Sequence, residues 1–485
     1  MAGKMPRAGS RENQCHANRQ RGIALIVVLV LLGLLVGALA IGFTGDLVRQ
    51  NKKQQQTTDA LAKAKEALIG YAAGVDLTAG YRPGDLPCPD INNDGTAGGS
   101  CSNGGGTTLG RLPWKTLGLP DLRDGDGERL WYAVSTNFKN NPRTSCILPG
   151  QPGYVLGLEA GCLNSDTRGT ITVHSSEGII INDGSNPDPF TPSGAIAVVI
   201  SPGGITQRQG SATPQDRSAA GVNNPINYLD VGNGEDNKDF MDGSNINGFI
   251  NGPVYDANGN VIVNDRVLAI TYSDLMPILE RRVTKEVFNC LTTYAAQNGS
   301  RYPWAADMSS SASGDYSDTM STRFGRIPYP PLNQTVFGLI GPPLTSAICT
   351  LPLVCMQTTW PSSCTITMGT WWENWKEQVL YGVADAYKPA FPLVTIPVPL
   401  TPAAPAPICG SCLTVNPPSA AADKKFVVMV AGKRLAAVSG GQPRTSSADK
   451  STATNYLEDE NATSLDDTFS QKPVTATFND NLLFQ

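Results

Sequence analysis

The stretch Gly22-Ile23-Ala24-Leu25-Ile26-Val27-Val28-Leu29-Val30-Leu31-Leu32-Gly33-Leu34-Leu35-Val36-Gly37-Ala38-Leu39-Ala40-Ile41-Gly42-Phe43 is one uncharged apolar run. A helix of about 20 apolar residues is long enough to cross a bilayer, so residues 23–43 are expected to form a transmembrane helix. Lys4, Arg7, Arg11, Arg19 and Arg21 precede it, with Glu12 as the only acid. Basic flanks stay in the cytoplasm. Residues 1–22 then read as a cytoplasmic leader and the chain beyond the span lies outside. A secretory signal has a shorter apolar core followed by a small-residue cleavage site. Here the chain continues without proline through Thr44–Gln56 and Asp59–Gly74, in good helix formers, and Gly74 is a C-terminal stop. One long helix over 23–75 is predicted, apolar first and amphipathic after.

Arg19-Gln20-Arg21-Gly22 followed by Ile23-Ala24-Leu25-Ile26-Val27, with this helix behind it, resembles the type IV pilin and type II secretion pseudopilin family. The resemblance covers residues 19 to 74. It implies cleavage between Gly22 and Ile23 by a prepilin peptidase and N-methylation of Ile23. It also implies partnership with other pilins or pseudopilins through the N-terminal helix. Most members carry a Glu at the fifth mature position, which is Val27 here, and no acid lies between Ile23 and Thr44. The resemblance is therefore closest to large minor pilins that lack this Glu. It implies a structural subunit that initiates or caps a pilus or pseudopilus. The implied location is the inner membrane, single-pass, with a cytoplasmic N-terminus and a periplasmic or extracellular remainder. A plain anchor with an uncut leader is one alternative reading. A surface adhesin or ligand-binding protein is another.

Charged residues are 16% of the chain, with 50 Gly, 36 Pro and a net charge of −5. That composition suits a loop-rich, β-containing extracytoplasmic protein. Without a basic patch beyond the leader, nucleic acid is not an expected partner. Cys15 lies in the leader. The remaining cysteines, Cys88, Cys101, Cys146, Cys162, Cys290, Cys349, Cys355, Cys364, Cys409 and Cys412, are even in number, as disulfides require. Proximity in sequence suggests Cys88–Cys101, Cys146–Cys162 and Cys409–Cys412. Cys409-Gly410-Ser411-Cys412 has redox-motif spacing, but it sits in a proline-rich loop without a helix start, which favours a tight structural bridge.

Beyond the helix the sequence repeats itself. Leu68–Ala73 has a counterpart in Leu291–Ala296, Gly110-Arg111-Leu112-Pro113-Trp114 in Gly325-Arg326-Ile327-Pro328-Tyr329, and Glu128–Val134 in Glu377–Val383. Ile196–Ile200 matches Phe426–Val430, Asn227-Tyr228-Leu229-Asp230 matches Asn455-Tyr456-Leu457-Glu458, and Asn264–Leu268 matches Asn479–Leu483. The order is the same in both halves, and the period is too long for a solenoid. It marks a tandem duplication of a unit of about 200 residues. The expected fold is α+β: a long N-terminal transmembrane helix followed by two tandem pilin-like modules, 76–277 and 278–485. Each module is a helix packed on an antiparallel sheet with long loops. The second helix is placed at Asp274–Ala296. Residues 388–418 read as a proline-rich insertion in the second module.

Asp90-Ile91-Asn92-Asn93-Asp94-Gly95 matches the opening of a calcium loop, with oxygen ligands Asp90, Asn92 and Asp94 at alternate positions. The twelfth position is Cys101 where an EF-hand needs Glu. Calcium is thus the one cofactor suggested, against an Asn/Asp/Gly turn as the alternative. Glu128 and Glu377 recur beside aromatics, but the repeat puts them in separate modules, so paired-carboxylate glycosidase chemistry is not expected. His174 is the only histidine after the leader, and no Gly-x-Ser-x-Gly elbow accompanies it. An enzyme is not expected.

Overall fold

The computed structural model describes Gly3 and residues 13–98, 101, 109–139, 163–207, 213–218, 223–238, 248–319, 321–329, 360–367, 370–389, 407–436, 441–463 and 466–485, without the side chains of 13–26, 34–46 and Thr136. Helix α1 is one unbroken helix, Asn13–Gly74. Its second half is held by spacing: Ala60, Ala64, Leu68 and Ala72 recur every fourth residue and are all buried. Small alanines let the helix lie close on its sheet.

That sheet has the order β1-β2-β5-β11. Its strands are β1 (Leu109–Arg111), β2 (Trp131–Val134), β5 (Ala197–Ser201) and β11 (Arg266–Ile270). Between β2 and β5 lie β3 (Val173–His174) and β4 (Ile180–Asn182). Between β5 and β11 lie β6 (Val231–Gly232), β7 (Glu235–Asp236), β8 (Phe249–Ile250), β9 (Val254–Tyr255) and β10 (Val261–Val263). The face of the sheet away from α1 is covered as well. Trp131, Ala133, Val198 and Ile200 pack there against Val173, Tyr228 and Phe249.

Helix α2 (Tyr272–Gln297) opens on Thr271, whose backbone N–H donates to the Asp274 carboxylate at 2.7 Å. Lys65 of α1 reaches the same carboxylate at 2.8 Å. Farther along α2, Arg282 donates to the Ala73 and Val75 carbonyls at the end of α1. After α2 come α3 (Met308–Ala312), β12 (Phe324–Arg326), α4 (Trp372–Trp375), β13 (Val379–Val383), β14 (Leu413–Val415), β15 (Ser419–Lys424), β16 (Phe426–Val430), α5 (Ser447–Lys450), β17 (Thr468–Phe469) and β18 (Asn481–Phe484). The second four-stranded sheet has the order β12-β13-β16-β18, and α2 packs on β16 and β18.

The two sheets share strand order, direction and register. Gly110, Tyr132, Val199 and Leu268 form one cross-strand row. Gly325, Tyr381, Val428 and Leu483 form the same row in the second sheet. The row tyrosines are tied alike, Tyr132 Oη donating to the Pro87 carbonyl at 3.2 Å and Tyr381 Oη to the Pro303 carbonyl at 3.1 Å. The row glycines have one cause. A Cβ on Gly110 would stand 2.7 Å from the Asp90 carbonyl oxygen, and one on Gly325 would stand closer still to that of Ala306. One continuous hydrophobic core runs from Ala60 and Leu68 through Leu279 and Val283 to Trp375, Val428 and Leu482.

One part of the expected architecture is corrected. The chain is a mixed α+β fold of small sheets, but among the described residues no helix is long and apolar enough to cross a membrane. The transmembrane helix expected at 23–43 is therefore withdrawn. From Leu47 onward α1 carries Arg49, Lys52, Lys53, Asp59, Lys63, Lys65 and Glu66 and is amphipathic. Both four-stranded sheets are antiparallel in every pairing, and the three-stranded sheets add parallel pairs. β3 pairs with β8, and β14 with β17, in parallel.

Candidate functional site

The end of each four-stranded sheet is closed by a buried polar cluster, and the two clusters are built alike. In the first, Arg111 leaves β1 and lies over the Trp131 ring at 4.1 Å and the Tyr228 ring at 3.9 Å. Arg217 approaches the same tyrosine at 4.9 Å. In the second, Arg326 leaves β12 and stands 4.3 Å from the Tyr456 ring, which Arg444 approaches at 4.6 Å. A desolvated guanidinium over an aromatic face is worth on the order of 2 kcal/mol. Both arginines that follow Gln-x also hold backbone. Arg217 Nε donates to the Asn227 carbonyl at 3.1 Å, and Arg444 Nε to that of Asn455 at 2.6 Å.

Beneath each tyrosine sits a pair of carboxylates. The Asp230 backbone N–H donates to Asp265 Oδ2 at 2.7 Å, and Asn237 Nδ2 donates to the same oxygen at 2.8 Å. Asp230 itself accepts from Gln215 Nε2 at 2.9 Å and from the Asn264 N–H at 2.8 Å. The second cluster repeats each bond. The Glu458 N–H and Asn461 Nδ2 donate to Asp480 Oδ2 at 3.0 and 2.9 Å. Glu458 accepts from Gln442 Nε2 at 2.8 Å and from the Asn479 N–H at 2.9 Å. In both clusters Oδ1 of the deeper aspartate has no hydrogen-bond partner among the described residues.

Burial, and then the neighbouring Asp230 or Glu458 carboxylate, pushes Asp265 and Asp480 well above the usual carboxylate range. Burial likewise pushes the Arg111 guanidinium down to about 10.

The clusters differ at one point. Arg217 pairs with Glu128 of its own module at 3.2 Å. Arg444 pairs instead with Asp166, which comes from the first module, at 2.9 Å, and Arg434 Nε lies 3.3 Å from the same carboxylate. Burial raises the Asp166 pKa, but the guanidinium groups of Arg434 and Arg444 outweigh it and hold the carboxyl below the usual range. Around this contact Asn164 Nδ2 donates to the Asn374 carbonyl at 2.9 Å and Ser165 Oγ to that of Ala431 at 2.6 Å. Glu377, the counterpart of Glu128, turns to Lys450 at 2.8 Å. The chemistry of this arrangement is that of a buried hydrogen-bonded and ion-paired lock that fixes strand ends and, through Asp166, joins the two halves.

The remaining sequence-predicted residues lie elsewhere. Asp90 accepts from the N–H groups of Asn92 at 3.1 Å and of Asn93 and Gly95 at 2.6 Å. Asp94 accepts from the Thr96 N–H at 2.7 Å and from Asn92 Nδ2 at 2.9 Å. Arg129 takes the Asn93 carbonyl, and Lys115 that of Asp94. Two cationic side chains thus brace the backbone of this loop. Gly95, at φ 88°, leaves no room for a Cβ beside Trp114. Among the described residues no group of three His, Cys, Asp or Glu side chains converges to hold a metal. Cys88–Cys101 and Cys409–Cys412 are disulfides, with Cα atoms 5.6 and 5.3 Å apart. Cys146 and Cys162 lie outside the described residues. Gly22 and Ile23 lie within α1, their side chains outside the described set. Trp131, Trp371, Trp372 and Trp375 are all core residues.

Sequence reasoning found Arg111/Arg326, Tyr228/Tyr456, Asp230/Glu458 and Asp265/Asp480 as members of repeated blocks without assigning them to one cluster. It missed Gln215/Gln442, Arg217/Arg444 and Asn237/Asn461. A Gln-x-Arg repeat ahead of each Asn-Tyr-Leu block was the available signal. Compared with known proteins, the chain matches no family model, no curated protein and no solved structure.

Proposed function

We propose that this chain is a structural subunit of a pilin-class filament, a minor pilin or pseudopilin that initiates or caps the assembly. The observation that carries the reading is the N-terminal stretch of α1. Val27 to Leu32 are each between 51% and 62% exposed, around the whole circumference of the helix. The same helix is rooted in the body through Ala60, Leu68 and Ala72. An apolar helix end without cover in its own fold finds that cover against partners, and a bundle of like helices is the cover a pilin-class filament offers. The basic leader with Gly22-Ile23 supports maturation by a prepilin peptidase. Val27 in place of an acid favours a terminal position over a repeating one.

The test is Leu29→Arg together with Leu31→Arg, expressed in the native host. The variant is expected to leave the sheared filament fraction while keeping both disulfides and the wild-type urea midpoint. A variant that enters filaments like wild type, or a wild-type chain that never associates with them, overturns the proposal.

A further inference from the structure

Helix α2 and the segment ahead of α4 meet at two buried cysteines. Cys290 lies on α2 and Cys364 on the segment 360–367, and each is 6% exposed within the same hydrophobic core. One turn along α2, the Tyr294 ring meets the Trp360 ring edge-on at 5.7 Å. The segment is held on both sides of Cys364. Trp360 Nε1 donates to the Pro328 carbonyl at 2.9 Å, and Trp371 Nε1 donates to Thr365 Oγ1 at 2.8 Å. The Cys364 N–H donates to the Pro361 carbonyl at 2.8 Å. Both elements are thus fixed, and they hold the two cysteines, free thiols in the structure, buried in one core beside the Tyr294–Trp360 contact.

We propose that Cys290 and Cys364 form a disulfide, a third bridge beside Cys88–Cys101 and Cys409–Cys412, stapling α2 to the segment that leads into the tryptophan-rich α4. The inference is independent of the filament reading.

The contact polarises the pair. The hydrogen bond to Cys290 lowers the Cys364 pKa, while that bond and burial push the Cys290 thiol up. Cys364 is the attacking thiolate. It displaces a thiolate from a disulfide-bearing oxidant and forms a mixed disulfide. Cys290 then loses its proton and attacks the Cys364 sulfur, and the second thiolate of the oxidant leaves. Two thiols become one disulfide, and the oxidant takes up two electrons and two protons.

The experiment is peptide mapping of the full chain, purified without reductant and alkylated under denaturing conditions. A Cys290–Cys364 linked peptide that vanishes on reduction is expected. In the folded protein, mild reductant should open Cys409–Cys412 first, because Cys409 is exposed while both sulfurs of the new bridge are buried. Alkylation of both Cys290 and Cys364 while Cys88–Cys101 is intact overturns the proposal. So does recovery of Cys364 joined to any other cysteine. As a second readout, Cys290→Ser, Cys364→Ser and the double variant should share one lowered urea midpoint. Additive shifts contradict the bridge.

Discussion

Glu280 on α2 offers a quantitative test of the core. Its side chain is buried, with Oε2 accepting from Asn481 Nδ2 at 2.8 Å and the Tyr272 hydroxyl nearby. Burial dominates, hydrogen bonds from Ser165, Asn481 and Tyr272 oppose it, and the carboxyl is pushed up to about 8. The folded chain keeps this proton up to that pH, whereas the unfolded chain releases it near the ordinary glutamate value of about 4.3. Between those limits the folded state binds more protons, so stability falls as pH rises, by about 1.4 kcal/mol per pH unit from this one group. Below the window the contribution is fully present, and above pH 8 it is lost. Glu280→Gln keeps the shape and an acceptor for Asn481 but does not titrate. The variant should match wild type within about 1 kcal/mol at pH 5 and exceed it by about 3 kcal/mol at pH 7.5. Urea unfolding of both chains at the two pH values reads this directly, as a midpoint gain of about 1 M at the higher pH. Parallel pH profiles for wild type and variant would refute the argument.

Three further outcomes are expected. Asp166→Asn should destabilise the chain by about 3 kcal/mol at pH 7, because Arg434 and Arg444 are left buried without their carboxylate. That loss should shrink as pH falls through the lowered Asp166 pKa, where wild type itself gives up the pair, and urea midpoints followed from pH 7 down into the acid range check both statements. Gly325→Ala should cost about 3 kcal/mol, read from the same unfolding curves, because its Cβ has no room beside the Ala306 carbonyl. A double-mutant cycle of Arg444→Met and Tyr456→Leu should show a coupling of about 1 kcal/mol, and additivity would deny the ring contact.

What the sequence revealed follows from what the fold demands of single residues. Gly110 and Gly325 recur because no Cβ fits beneath the next backbone, and Arg111 and Arg326 because each must cover a tyrosine. Residues under such constraints stand out as repeated blocks. Asp166 was invisible because it serves the other module and has no repeat partner. Cys290 and Cys364 were invisible as a pair because their meeting is made by tertiary packing across a long loop. In the Asp90 loop the pattern shows the oxygens but not Arg129 and Lys115, which reach its carbonyls from elsewhere in the chain. The span at 23–43 rested on hydropathy alone. Hydropathy reports that a helix face wants cover, not what covers it.

The most direct test of the functional account is the mass of the N-terminal peptide of the chain isolated from its native host. The account predicts a peptide that begins at N-methylated Ile23. A peptide that reads continuously through Arg21-Gly22-Ile23 would contradict it.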